Sequence, residues 1–175
     1  MTLRHHEAGS VTPVPGGLAA HGPLIEVTLG PHPADAEAIS KSGGNPRSME
    51  RRLLVDTGAS RTCIEDRVAQ ELGLIPIRFD PFFGVSGKPA EYPVYRMSIV
   101  VAMKENETGP SHQAVFLADV IGMPAPPHLT SHVGLLGRDF LQHVRLVYDG
   151  PRGRFEIIDY RHEGVPLESI QKAVP

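Results

Sequence analysis

The residues best suited to chemistry lie in the run Leu53-Leu54-Val55-Asp56-Thr57-Gly58-Ala59-Ser60. The three apolar residues predict a short buried strand, and the Asp56 carboxylate stands at its end on a turn of small residues. Burying a charge costs on the order of several kcal/mol unless hydrogen bonds or a shared proton compensate. Gly58 lacks a side chain and reaches backbone conformations closed to other residues, so a second backbone, or a second copy of the same turn, can come close. Thr57 offers a hydroxyl across such a contact, and Ala59 keeps the space clear. There is a plainer reading of an isolated Asp-Thr-Gly: Asp56 caps its own loop through its side chain.

A second run, Leu135-Leu136-Gly137-Arg138-Asp139-Phe140-Leu141, changes the weighing. An apolar run ending in Asp-Thr-Gly-Ala, followed later by an apolar pair, Gly, Arg and Asp, resembles the paired signatures of the retropepsin-like aspartic peptidases, in a bacterial-type form. The resemblance covers residues 24–158. It implies a mainly β fold: a retropepsin-like half-barrel with a flap hairpin and one or two short helices. It implies Asp56 as the catalytic residue, with Thr57, Gly58 and Ala59 as the active-site loop. Leu136, Gly137 and Arg138 then form the supporting motif, which in the family threads beside the catalytic strand. The flap falls on Phe82 to Tyr95, with Phe83, Gly84, Val85, Ser86 and Gly87 as substrate-binding residues, and Phe82, Phe83 and Val85 as candidates to line apolar pockets. One departure stands out. Viral members carry an acidic residue four positions after the catalytic Asp, which pairs with the Arg of the second motif. Ser60 occupies that position here, leaving Asp66, Asp139 or a backbone carbonyl as partners for Arg138.

No second Asp-Thr/Ser-Gly occurs in the chain. Aspartic peptidases use two carboxylates that share one proton, one acting as base on a water while the other donates to the scissile carbonyl. The resemblance therefore implies a homodimer with one Asp56 from each chain beside a twofold axis. It also implies a peptide or protein substrate, held extended under the flap as an added strand. The expected activity is aspartic endopeptidase, a hydrolase. The alternative is a non-catalytic dimerisation or peptide-binding module that retains the fold.

The elements that must position these residues can be read from alternation and punctuation. Pro23–Gly30 alternates as a first strand. Residues 31–50, broken by Pro31, Pro33, Gly43, Gly44 and Pro46, read as a flexible loop insertion. Thr62 and Glu65 form a capping-box pattern, Ile64, Val68 and Leu72 recur at helical spacing, and Gly73 suits a C-cap. A short helix is thus expected over 63–73. Tyr95, Met97, Ile99 and Val101 share one strand face, while Pro93 favours an edge or projecting hairpin. Residues 104–111 read as a polar turn and Gln113–Val120 as a strand, with a Pro-rich loop over 121–132. Val133–Gly137 reads as an apolar strand, and Arg138–His143 as a short helix. Two strands, Arg145–Tyr148 and Arg154–Ile158, flank a Gly/Pro turn. The domain spans 21–160, between a loose lead-in at 1–20 and a tail at 161–175.

Composition sets the outer limits. The 18 Gly and 17 Pro favour many short strands and turns. A net charge of −3 gives no basic footprint for nucleic acid or an anionic membrane. No apolar run is long enough for a signal peptide or a membrane span, and a single cysteine precludes an intrachain disulfide, so a cytoplasmic protein is expected. No cofactor or metal is expected: His128 and His132 are four apart but lie in a Pro-rich stretch, with no carboxylate pair to complete a set. Gly84-Val85-Ser86-Gly87-Lys88 fails as a phosphate loop, because Phe82 occupies the first Gly position and Pro89 follows the Lys. Asp56-Thr57-Gly58 fails as an aspartyl-phosphate motif for want of a second Asp. Cys63 is expected to be a buried structural thiol.

Overall fold

The computed structural model describes residues 17–83, 89–104, 111–125 and 131–159. Its strands are β1 (Leu24–Pro31), β2 (Met49–Val55), β3 (Cys63–Glu65), β4 (Arg78–Phe83), β5 (Pro89–Lys104), β6 (Ser111–Met123), β7 (Gly134–Leu136), β8 (Val144–Asp149) and β9 (Arg154–Asp159). The helices are α1 (Gly17–His21), α2 (Pro33–Lys41), α3 (Asp66–Glu71) and α4 (Arg138–Leu141). The protein is mainly β, as the residue pattern predicts. Four helices stand among the described residues, where one or two were expected.

Alternation explains the sheet. Along β5 the odd positions Tyr95, Met97, Ile99, Val101 and Met103 are all buried. On β1, Val27 and Leu29 face the same core, as do Leu53 and Val55 on β2. Strands join in the order β1-β2-β7-β3-β6-β5-β4, and a further pairing of β1 with β5, from Thr28↔Val100 to Pro31↔Met97, closes the first six into a barrel-like ring. Fully burying one such side chain contributes roughly 1.5–3 kcal/mol. An exposed ion pair contributes about 0–1 kcal/mol. The shared apolar interior is therefore what closes the ring.

The strand β4 lies outside the ring, paired only with β5. The two form an antiparallel arm from Arg78↔Val94 out to Phe83↔Pro89. Pro93 sits in this arm rather than in the ring, opposite Phe79. The β8–β9 hairpin is a separate two-stranded sheet that sends Phe155 and Ile157 into the core. The Phe140 ring of α4 packs against Phe116 at 4.5 Å between centroids. No helix of the described residues is long and apolar enough to cross a membrane.

Three expectations are corrected. The segment 31–50 carries α2 rather than a flexible loop. Pro33 occupies the first turn, the His32 ring accepts from the Ala34 N–H, and Gly43 at φ +81° closes the C-terminus. Pro and Gly thus bracket a helix here instead of breaking one. The lead-in 1–20 holds α1 from Gly17, and its first 16 residues lie outside the described set. The expected helix over 63–73 begins three residues late: Cys63–Glu65 is strand β3, and Glu65 makes no side-chain cap. Its C-terminus is as expected, with Gly73 at φ +73° and bonds from Gly73 N to Gln70 O and from Leu74 N to Ala69 O. In addition, β6 continues to Met123, two residues into the expected Pro-rich loop. Residues 105–110 and 126–130 lie outside the described set.

Helix α2 has no fully buried side chain, and a polar pairing ties it to β5. The Arg96 guanidinium on β5 donates through Nε to Asp35 at 3.0 Å, and through Nη2 to the other carboxylate oxygen. That pairing holds the Asp35 carboxyl below its ordinary value of 3.8. A depressed carboxylate contributes stability that is complete above its unfolded value and fades as the pH falls through the folded one. Asp35→Asn should therefore cost about 0.5–1 kcal/mol near pH 6. In paired urea titrations the gap between variant and wild type should narrow as the pH drops below 3.8. A gap that stayed constant with pH would contradict the pairing.

Candidate active site

The strand β7 is threaded between two strands that are consecutive in the chain. It runs parallel to β2 (Leu54↔Leu135, Val55↔Leu136) and antiparallel to β3 (Cys63↔Leu135, Ile64↔Gly134). Glycine makes the passage possible. A Cβ on Gly134 would sit 2.2 Å from the Cys63 carbonyl oxygen, and one on Gly137 would sit 2.5 Å from the Arg61 carbonyl carbon. No side chain fits at either place.

This threading brings the two sequence runs into one constellation. The Asp56 N–H donates to the Leu136 carbonyl at 3.0 Å, and the Arg138 N–H donates to the Ala59 carbonyl at 2.9 Å. The loop between them turns tightly, with the Ala59 N–H donating to the Asp56 carbonyl at 3.3 Å. The Asp56 carboxylate accepts from the Gly58 N–H at 2.8 Å, which is the contact a self-capping Asp would make. Asp56 is half-exposed, while Thr57 and Gly58 are exposed. In the single chain the loop tip thus faces outward from a buried stem of Leu53 and Val55.

Arg138 resolves the question raised by Ser60. Its Nη1 donates to the Thr57 and Gly58 carbonyls at 3.1 and 3.2 Å. Of the expected alternatives, the backbone takes it. Asp66 instead accepts from the Tyr95 hydroxyl at 2.6 Å and from Gln70 at 2.7 Å. Burial, with Asp66 adding to it, raises the pKa of that phenol. Asp139 turns inward to Thr62, accepting from its backbone N–H at 2.8 Å and from its hydroxyl at 2.7 Å. The Thr62 hydroxyl in turn accepts from the Gly137 N–H at 3.2 Å. Thr62 is fully buried and belongs to this lock, not to a helix cap. The partners are 77 residues apart, so local spacing carried no signal for them.

Of the expected site residues, Asp56, Thr57, Gly58 and Ala59 meet Leu136 and Arg138, while Gly137 packs against Arg61 and Thr62. Phe83 ends the β4–β5 arm by pairing with Pro89. Gly84, Val85, Ser86 and Gly87 lie outside the described residues. The Phe82 ring makes an edge contact with Tyr92, with centroids 6.5 Å apart. Sequence reading also missed Arg61, which reaches from the Asp56 loop to Asp80 on β4 at 3.0 Å. The only local hint was Arg78 and Asp80 at strand spacing, placing both on one face of β4.

Cys63 stands on β3 rather than at a helix start, and burial pushes its thiol up to about 11. His132 is buried and its pKa is lowered, chiefly by that burial. Among the described residues, no group of three or more His, Cys, Asp or Glu is placed to hold a metal ion.

Replacing Thr62 by Val keeps its shape but leaves the Gly137 N–H without its acceptor and removes one donor to Asp139. A loss of about 1–3 kcal/mol in urea unfolding is expected; a neutral result would mean that the lock contributes nothing. The Cys63 thiol should resist a thiol-specific disulfide reagent at pH 8 in the native protein and react at once in denaturant. Fast native labelling would contradict its burial. Comparison with protein-family models and with curated proteins finds no match for this chain.

Proposed function

We propose that this protein is an aspartic endopeptidase of retropepsin-like fold that works as a homodimer, with one Asp56 from each chain. The observation that carries this reading is the threading of β7 beside β2. It holds the Asp-Thr-Gly-Ala turn through Leu136 and Arg138, with the carboxylate and its glycine presented outward. A lone outward carboxylate is half of a general acid–base pair. A twofold axis through the exposed Thr57-Gly58 tip would supply the other half.

The chemistry then follows from a shared proton. Two carboxylates a few ångströms apart do not both ionise cheaply, as is known for such dyads, and they titrate as a unit. The ionised carboxylate removes a proton from a water while its protonated mate donates to the scissile carbonyl oxygen. The water oxygen bonds to the carbonyl carbon. Collapse of the resulting gem-diol breaks the C–N bond, with a proton passing to the amine nitrogen. The β4–β5 arm serves as the flap, and an extended peptide lies beneath it as an added strand. Phe82 is available to contact substrate side chains. A reducing compartment such as the cytoplasm suits a chain whose one cysteine is a buried thiol.

A second reading rests on the Asp56–Gly58 contact, which a self-capping turn in a non-catalytic peptide-binding module would also make. One experiment separates the two. Wild type and Asp56→Asn are incubated with a mixed peptide library from mildly acidic to neutral pH, and their mass in solution is followed by light scattering. The amide keeps the shape but cannot act as a base. The variant should fold and dimerise while losing about 10²–10⁴-fold or more in hydrolysis. Equal cleavage by both forms, cleavage by neither, or a wild type that stays monomeric at working concentration would overturn the peptidase reading.

A further inference from the structure

The side chains of Arg61, Asp80 and Arg78, with the carboxylate and backbone carbonyl of Asp119 on β6, form a closed circuit of hydrogen bonds linking the Asp56 loop, the arm and β6. Arg61, five residues after Asp56, donates through Nη1 to Asp80 on β4 at 3.0 Å and through Nη2 to the Asp119 carbonyl on β6 at 3.2 Å. Arg78 on β4 donates through Nε to both Asp80 oxygens, at 3.0 and 3.1 Å. Its Nη1 donates to the Asp119 carboxylate at 2.6 Å. The Arg61 hydrogen bond, with Arg78 adding to it, holds the Asp80 carboxyl below the usual range. The Arg61 and Asp80 side chains are 29% and 27% exposed, so solvent screens this pair less than one on the open surface.

The placement of the circuit gives it a mechanical meaning. The Arg61 backbone is fixed from behind by Gly137, which leaves no room even for a methyl group. On the arm, Asp80 lies opposite Tyr92, one strand step from the Phe82–Tyr92 contact. Asp80, Phe82 and Tyr92 therefore share a face, and Asp80 ties that face to Arg61. On the opposite face Phe79 is 60% exposed, and Ile77 just before β4 is 46% exposed, so apolar packing secures that side little.

We propose that Arg61 is a positioning residue that tethers the β4–β5 arm to the Asp56 loop and so fixes the height of the Phe82–Tyr92 face above it. On the peptidase reading, on which this role in catalysis rests, Arg61 governs how well a peptide is gripped rather than the proton transfers. A planar two-armed guanidinium suits the task, because one group spans two elements at once.

The test compares wild type, Arg61→Ala, Arg61→Lys and Asp80→Asn in two measurements. In amide hydrogen exchange, Arg61→Ala and Asp80→Asn should speed exchange across Phe79–Phe83 and Ala90–Val94 by about tenfold relative to β1 and β6, with Arg61→Lys between them and wild type. In peptide hydrolysis, Arg61→Ala should raise KM about three- to tenfold while kcat changes less than about threefold. Hairpin exchange unchanged in both Arg61→Ala and Asp80→Asn overturns the tether. Loosening of the arm and the ring by the same factor overturns it as well, since that is what a general stabiliser would do. A kcat loss larger than the KM change overturns the positioning role. A wild type that hydrolyses nothing sinks the peptidase reading instead, and hydrogen exchange still decides the tether.

Discussion

Everything at the candidate site depends on one strand passing between two others at backbone contact distance. For β7 to lie between β2 and β3, the chain at Gly134 and Gly137 must approach residues 61–64 closer than any Cβ allows. The passage gives the Asp56 turn its fixed partners, Leu136 on the amide of Asp56 and Arg138 on the carbonyls of Thr57 and Gly58. It also seals Thr62 and Asp139 together behind the turn. A polar lock in a buried setting is costly if incomplete. Here the Thr62 hydroxyl both donates and accepts, and among the described residues no buried side-chain polar atom lacks a partner.

Around that passage the fold separates two kinds of force. The ring is held by area: Leu29, Leu53, Met97, Ile99 and Leu136 are all within 1% of complete burial. Outside the ring, α3, α4 and the β8–β9 hairpin also pack into the core, through Val68, Phe140, Phe155 and Ile157, whereas α2 and the arm are tied by charge. Helix α2 has no fully buried side chain and is tied to β5 by Arg96, and the arm is tied at its base by Arg61 and Arg78. Apolar packing resists displacement in every direction, whereas a few ion pairs fix position and yield at modest cost. A rigid ring bearing the carboxylate and a lightly held arm would suit the proposed peptidase, which has to admit an extended chain. The strand β5 joins the two regimes, running from the arm into the core without a break.

Much of this was legible in the residue order. Alternation in Tyr95–Val101, the apolar run before Asp56 and the glycine after α3 each act on immediate neighbours, so their meaning survives without a fold. The misreadings share a cause. Thr62 and Glu65 match a capping box, but Thr62 is taken by Asp139 from the far side of the chain, and the helix starts later. Pro33, Gly43 and Gly44 look like loop breakers, yet a proline in the first turn and a glycine at positive φ are also how a short helix begins and ends. Which of two locally allowed conformations is adopted rests on contacts outside the window.

The sequence by itself therefore determined most of the strands, their buried faces and the glycine-bearing turn that presents Asp56, though not β3, because period-two burial and backbone freedom are properties of adjacent residues. Tertiary structure alone decided that β7 enters between β2 and β3, that Arg138 serves backbone carbonyls, and that Arg61 reaches the arm. Each of those contacts closes a long loop of chain, and their partners stand from 19 to 81 residues apart. Only the closed apolar ring, by fixing where its strands end, brings such distant groups within hydrogen-bonding distance.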